Sequence, residues 1–431
     1  MSFYREMSLS QLENELSNLN EKYSEFKSMN LNLNMARGKP SPEQLELSSD
    51  MLTNLKYSQL FRPESGVNAG NYGELTGIFE AKKFFADILK VSPNSVIVGG
   101  NSSLNLMYNY IDMAMQFGIL GNTPWNKLEK VKFLCPVPGY DRHFAICELF
   151  NIEMINIEMD ENGPKMNRVK ELVESDPMVK GIWCVPKYSN PTGVTYSDSV
   201  VRQFASLKPA AKDFRILWDN AYVIHHLSDK QDILLNIFDE CKKNNSEDMM
   251  IEFCSTSKIT FAGAGISALA ASEANIGNIT KIMSKQTIGF DKINQLRHCI
   301  FFSSVEKLRN HMRAHAKILK PKFDLVIEKL EKQIRPLGTG DWTNPNGGYF
   351  ISFDALDGCG KRIYELCKAA GVVLTNVGAT YPYGLDPKNK NIRIAPTFPN
   401  IDELNMAMDV FCLCVKIASA ESLILKKKNS D

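Results

Sequence analysis

Between residues 92 and 271 the chain repeatedly sets a short apolar run before a longer stretch with helical spacing; the runs are 96–98, 132–135, 182–185, 214–218 and 250–254. Apolar runs of this length read as strands buried on both faces, and their alternation with helices predicts parallel strands covered by helices on both sides. In such a sheet ligands collect beyond the carboxyl ends of the strands. A helix is predicted over 8–28, where Ser8 and Gln11 can form a capping box and Leu12, Leu16, Leu19, Tyr23 and Phe26 mark one face. A long helical pattern covers 305–337. Strands near 348–353, 372–375 and 391–395, with helices between them, predict a second, smaller unit.

Composition narrows the class. The 431 residues can bury more than one core, and 44% hydrophobic with 23% charged residues excludes disordered and fibrous chains. Fifty basic against forty-nine acidic residues leave a net charge of +1, so neither nucleic acid nor membrane is expected as the main partner. Small-molecule substrates are expected instead. Ten cysteines sit in apolar contexts such as Cys135, Cys184, Cys254 and Cys367, without the spacing of a disulfide framework or a zinc site. His311 and His315 are spaced i, i+4 but lack the intervening glutamate of a zincin helix, so no metal is expected. Residues 1–6 lack an apolar signal core, and 410–420 is too short to span a bilayer and is interrupted by Lys416. A reducing, cytoplasmic setting follows as the expectation. The Lys426-Lys427-Lys428 run reads as a solvated tail.

The ends of the predicted strands carry the chemistry. Cys254-Ser255-Thr256-Ser257-Lys258 follows one strand: a lysine there can form a Schiff base with an aldehyde cofactor while the Ser255 and Ser257 hydroxyls help hold a phosphate. Trp218-Asp219-Asn220-Ala221-Tyr222 follows another; the Asp219 carboxylate can pair with a protonated pyridine nitrogen and Tyr222 can donate to a phenolate oxygen. Tyr188-Ser189-Asn190-Pro191-Thr192-Gly193 follows a third, where Asn190 offers an amide from a turn. Ser102 and Ser103 open a helical pattern, where free amides favour an anion. These groups suit pyridoxal 5'-phosphate. Residues 263–268 also fit a loose G-x-G-x-x-A pattern, which is set aside because no acidic residue follows at the distance a dinucleotide fold needs.

With these motifs in this order, nearly the whole chain resembles the fold-type I pyridoxal-phosphate aminotransferases, in particular the aspartate aminotransferases of subgroup I-c, whose catalytic domain is also that of MocR-type proteins. The stretches that carry the likeness are Ala36-Arg37-Gly38-Lys39-Pro40-Ser41, Cys135-Pro136-Val137-Pro138-Gly139-Tyr140-Asp141-Arg142-His143-Phe144, Ser255-Thr256-Ser257-Lys258-Ile259-Thr260-Phe261 and Asn391-Ile392-Arg393-Ile394-Ala395-Pro396. The resemblance implies an α/β fold with a large, doubly wound, mixed but mostly parallel sheet domain and a smaller α+β domain. It implies a cofactor domain over 51–310 and a small domain made of 1–50 and 311–431. It further implies that Tyr140 stacks on the cofactor ring, that Arg393 grips the substrate α-carboxylate with the Gly38 backbone closing over it, and that Tyr72 is donated to a neighbouring subunit's phosphate site. A homodimer with shared sites would result. One departure is Ile266, where many relatives carry a phosphate-binding arginine.

The expected reaction moves the amino group of aspartate or glutamate to a 2-oxo acid such as 2-oxoglutarate. Arg142, two residues beyond Tyr140, is the candidate for the distal carboxylate, ahead of Arg37 and Lys39. Another amino donor or a beta-lyase reaction on the same fold is the alternative. A non-catalytic regulator would need a DNA-binding module, and the segment before residue 96 is already taken by the Gly38 and Tyr72 motifs.

Overall fold

A computed structural model describes residues 3–62 and 66–429; Met1 and Ser2, part of the amino-terminal stretch expected to lack a signal core, lie outside the described residues. Its centre is an eight-stranded sheet. In chain order the strands are β1 (Val96–Gly99), β2 (Lys132–Val137), β3 (Glu153–Asp160), β4 (Gly163–Pro164), β5 (Val179–Cys184), β6 (Arg215–Asp219), β7 (Met250–Ser255) and β8 (Ser267–Ala271). In space they run β1-β8-β7-β6-β5-β2-β3-β4. β7, β6, β5, β2 and β3 pair in parallel, β8 is antiparallel to both β1 and β7, and β4 is antiparallel to β3.

Every residue of β1, β5, β6, β7 and β8 is buried, and in β1, β5, β6 and β7 this leaves largely apolar runs rather than an alternating pattern. Side chains still alternate between two cores. One face gathers Val98, Trp218, Met250 and Cys254 under helix α2 (Phe79–Leu89); the other gathers Ile97, Phe133, Trp183, Leu217 and Phe253 under helix α3 (Ser103–Phe117). Each such large side chain contributes roughly 1.5–3 kcal/mol by leaving water. β3 escaped sequence reading because its exposed positions break the apolar run, and β8 because it is built of small residues, Ser-Ala-Leu-Ala-Ala.

The amino-terminal helix is as expected: Leu9–Ser28 forms, Ser8 and Gln11 exchange both capping bonds, and Leu12 and Leu19 are buried. A second sheet is antiparallel in the order β9 (Gly340–Trp342), β10 (Ile351–Ala355), β11 (Asn391–Ile394). It packs with the long helix α4 (Val305–Gln333) and the final helix α5 (Ile401–Lys428) around Phe353, Ile392, Phe411 and Val415. Three details differ from the sequence reading. The 305–337 pattern ends at Gln333 and closes with a 3-10 turn, Arg335–Leu337. Within 372–375 only Val372–Val373 is strand, and it pairs in parallel with Leu33–Asn34 instead of joining the second sheet, which ties the amino-terminal segment to that unit. The run Lys426-Lys427-Lys428 is the last turn of α5, where the helix dipole favours cations, and Lys428 reaches Glu13 at 2.6 Å.

No helix of the described residues is long and apolar enough to cross a membrane.

Candidate active site

The carboxyl ends of β5, β6 and β7 lie side by side, and the second sheet meets them through β11. Lys258 stands three residues past β7. Thr256 fixes this loop, with its hydroxyl accepting from the Ile266 amide at 2.9 Å and lying 3.1 Å from His298 Nε2. The Lys258 amine has no hydrogen-bond or ion-pair partner among the described residues; its Nζ sits 5.2 Å from the ring centre of Tyr222 and 5.8 Å from that of Tyr349. Burial lowers its pKa below the ordinary lysine value and the Arg393 charge adds to this, while Asp219 pulls the other way.

Asp219 closes β6 and is 3% exposed. Its Oδ2 lies 3.0 Å from His143 Nε2, and its Oδ1 is buried with no partner. His143 is itself clamped, stacked on Trp183 with ring centres 4.4 Å apart. Tyr140 caps the helix that starts at Asp141 and meets His143 edge-on at 4.9 Å; burial raises its phenol's pKa, helped by Asp219 and Asp141. Tyr222, in the turn after β6, is 3% exposed, and burial pushes its phenol well above the usual value.

Arg393 projects from β11 and is 6% exposed. Its Nη1 donates to Asp141 Oδ1 at 3.0 Å and to Asn190 Oδ1 at 3.2 Å, its Nη2 to Thr375 Oγ1 at 3.3 Å, and its buried Nε has no partner. Thr375 in turn donates to the Ala36 carbonyl at 2.6 Å, which brings the 36–38 segment to the arginine. Gly38 is required there: a Cβ at this position would fall 2.4 Å from the Phe350 ring, the ring on which the Arg393 guanidinium lies at 4.8 Å.

A cradle of hydroxyls and backbone carbonyls forms between the loop after β1 and the lysine loop. Ser257 donates to the Asn101 carbonyl at 2.9 Å, Ser255 donates to Ser257 at 3.1 Å, and Ser267 donates to the Gly100 carbonyl at 2.8 Å. Ser102 caps α3 through the Leu104 amide, with Ser103 as its first residue. Gly265 lines this cradle, for a Cβ there would press on Thr256 Oγ1 at 3.0 Å and the Asn101 carbonyl at 3.3 Å. Ile266 is 1% exposed and belongs to the core, so this position supplies no side-chain cation.

The structure therefore brings Lys258, Asp219, Tyr222, Tyr140, Asn190, Arg393, Gly38, Ser102, Ser103, Ser255 and Ser257 around one cleft. It does not bring Tyr72 there: that ring is 84% exposed. Arg142 is exposed and has no partner among the described residues, although its charge is felt at Tyr140. Sequence reasoning missed His143, Asp141, Tyr349 and Thr375. The first two lie inside the quoted Tyr140 motif, and Tyr349, which takes a bond from Gln44 at 2.9 Å and reaches the Lys258 carbonyl at 3.3 Å, sits at the end of the Asn-Gly-Gly turn. His311 and His315 converge on the Ile259 carbonyl, at 2.7 and 3.0 Å, beneath the lysine loop. No cluster of three or more potential metal ligands occurs among the described residues.

Residues 7–427 match the family model described as aspartate amino-transferase. The aspartate aminotransferase of Corynebacterium glutamicum is 44% identical over 404 residues, covering 94% of this chain and 93% of its own. A solved aspartate transaminase structure from the same organism superposes with a TM-score of 0.95 at 42% identity, over 98% of this chain and 99% of that one. An alpha-aminoadipate aminotransferase of Thermus thermophilus, solved with N-(5'-phosphopyridoxyl)-L-leucine, shares the fold at 16% identity, with a TM-score of 0.71 over 91% of this chain and 93% of its own. The chain belongs to the aspartate aminotransferase family and is an aminotransferase.

Proposed function

We propose that this aminotransferase uses pyridoxal 5'-phosphate and moves the amino group of aspartate or glutamate to a 2-oxo acid such as 2-oxoglutarate. The observation that carries this reading is the set of polar groups left without partners in one cleft: the Lys258 amine beside the buried Asp219 Oδ1 and Arg393 Nε. Buried polar groups are rarely left unpaired, so such a set marks where a ligand supplies the missing bonds. The pattern fits this cofactor. Lys258 Nζ would hold its aldehyde carbon, Asp219 its ring nitrogen, Tyr222 and Asn190 its phenolate oxygen, Tyr140 one ring face, and Ser102, Ser103, Ser255 and Ser257 its phosphate. When bound, the cofactor supplies an electron sink for the carbanion formed at the substrate's α-carbon.

The chain's own residues then have separate tasks. Lys258 would be the base that takes the α-proton, and its lowered pKa favours the neutral form that this needs. Asp219, fixed by His143 and Trp183, presents its unpartnered Oδ1 to the site. Arg393 exchanges its Asp141 and Asn190 contacts for the substrate α-carboxylate, with the Gly38 backbone closing over the same group. Arg142 is free to meet the distal carboxylate of a dicarboxylic substrate.

The assembly follows as part of the same reading: a homodimer in which the exposed Tyr72 reaches the partner's phosphate cradle. The chain would divide into a cofactor domain over 51–310 and a small domain of 1–50 and 311–431, with α4 continuous across the boundary. The ten free cysteines support a reducing, cytoplasmic home. A panel of amino donors with 2-oxoglutarate tests the function, scored for new keto acid and for ammonia. Aspartate should give the highest kcat/KM with no ammonia. Ammonia release from the same donors would favour the beta-lyase alternative and overturn the proposal.

A further inference from the structure

A cavity of ≈ 1190 Å³ opens on the face of the large sheet opposite the cleft, between α2, the helix Lys292–Phe301, the start of α4 and the 223–236 loop. Its wall carries an apolar patch of Phe84, Ile88, Leu296, Ile300, Phe302 and Leu308, with Phe84 and Phe302 stacked at 5.7 Å, beside charged side chains of both signs such as Lys83, Asp87, Arg309 and Asp324. Its floor is polar, formed where Asn220 and Glu252 reach it from β6 and β7. Both are 4% exposed. Asn220 Nδ2 donates to Glu252 Oε1 at 2.8 Å, which leaves Asn220 Oδ1 buried without a partner. Burial drives the Glu252 pKa up to about 8. The one buried cation on the wall, Lys187, is committed: its amine donates to the Val223 carbonyl at 2.9 Å, and Asp232 offsets its charge.

A buried acceptor oxygen without a donor, beside a buried carboxyl at the bottom of the chamber, costs free energy that a donor-bearing ligand would return. Ligand sites commonly hold about 300–1,000 Å³, and this cavity has at least that room. We propose that it is a second ligand site, separate from the cleft, for an amphiphilic amine whose ammonium meets Asn220 Oδ1 and Glu252 while its hydrocarbon body lies against the Phe84, Phe302 and Leu308 wall. The transaminated substrate plays no part in this site. Because Asn220 follows Asp219 directly and Glu252 lies on the strand leading to Lys258, the site is anchored to the two strands that carry the cleft.

The test is isothermal titration calorimetry of the holoenzyme with N,N-dimethyloctylamine, a tertiary amine that cannot condense with an aldehyde, alongside octanoate and octyltrimethylammonium. One amine should bind per chain, with octanoate and the N–H-free octyltrimethylammonium each weaker by about tenfold, the size of one charge-assisted contact. Glu252→Gln should weaken the amine by a similar factor while leaving turnover intact. Ala316→Trp, which fills the chamber from α4 without touching the floor, should do the same should Glu252→Gln fail to fold. Equal binding of amine and octanoate, affinity unchanged in both variants, or a crystal structure with the cavity closed by the partner subunit would overturn the proposal.

Discussion

Asp219 and Glu252 are buried carboxyls on adjacent strands, offset by one step of register, so that they face opposite sides of the same sheet. Asp219 pairs in register with Phe253 on the cleft side, and Glu252 with Trp218 on the cavity side. Asp219 has an imidazole at 3.0 Å, and that imidazole is braced by Trp183. Glu252 has only an amide, and burial drives its pKa up to about 8 against the smaller opposing pull of the Asn220 hydrogen bond. Burial is therefore not what makes an acid functional in this reaction. What differs is the partner: Asp219 faces an imidazole held in place by Trp183, whereas Glu252 faces the Asn220 amide at the floor of the cavity.

The comparison breaks hardest at Lys258. Lys258→Ala removes the group proposed as both covalent anchor and base, and should cut transamination by about 10⁴-fold or more and abolish any lysine-linked visible absorbance of the cofactor. An unaltered spectrum would refute the assignment. Next come the two acids. Asp219→Ala should lower kcat by about 10²–10³-fold, while Glu252→Gln should leave kcat near that of the parent. Comparable losses in the two variants would show that the sheet end responds as a unit and that the distinction between faces is false.

The two faces also predict opposite pH slopes of stability in the cofactor-free protein. Glu252 holds its proton in the folded state up to about 8 but releases it near 4.5 when unfolded, so between these values the folded state binds more protons and stability falls as pH rises. Lys258 is lowered by burial, so below its ordinary value of 10.5 the unfolded chain binds more protons and stability rises with pH. Denaturant titrations from pH 5 to pH 9 should thus show Glu252→Gln gaining on the parent as pH climbs toward 8. Lys258→Met should start ahead of the parent and lose that lead as pH climbs toward 10.5. A pH-independent offset for either variant would remove that group from the account.

Much of this was readable in the chain, for physical reasons. Strands buried on both faces leave unbroken apolar runs, and a polar cluster directly after such a run has few structural uses, so Lys258, Asp219 and Asn190 stood out. β3 and β8 did not, because partial exposure and small side chains erase the run. The pairing of Leu33–Asn34 with Val372–Val373 depends on contacts too distant in sequence for local periodicity to show. Asp141 illustrates a different limit. As the first residue of a helix it reads as a dipole partner, and only the fold reveals that it lies 3.0 Å from Arg393.

The smallest effect belongs to Arg142, at the rim of the cleft face. Unlike Arg393, which is 6% exposed and paired, it is exposed and holds no partner, so removing it orphans nothing and should leave stability unchanged. An exposed cation in high dielectric is worth only about 1 kcal/mol in an ordinary surface pair. A larger contribution requires substrate to shield the contact from water. Arg142→Ala should therefore raise KM for aspartate and glutamate by roughly five- to tenfold and leave alanine turnover untouched, because alanine has no distal carboxylate to lose. If dicarboxylic and neutral donors suffer alike, the arginine is a general electrostatic feature of the rim, and the distal carboxylate must be held by Arg37, Lys39 or a residue of the partner.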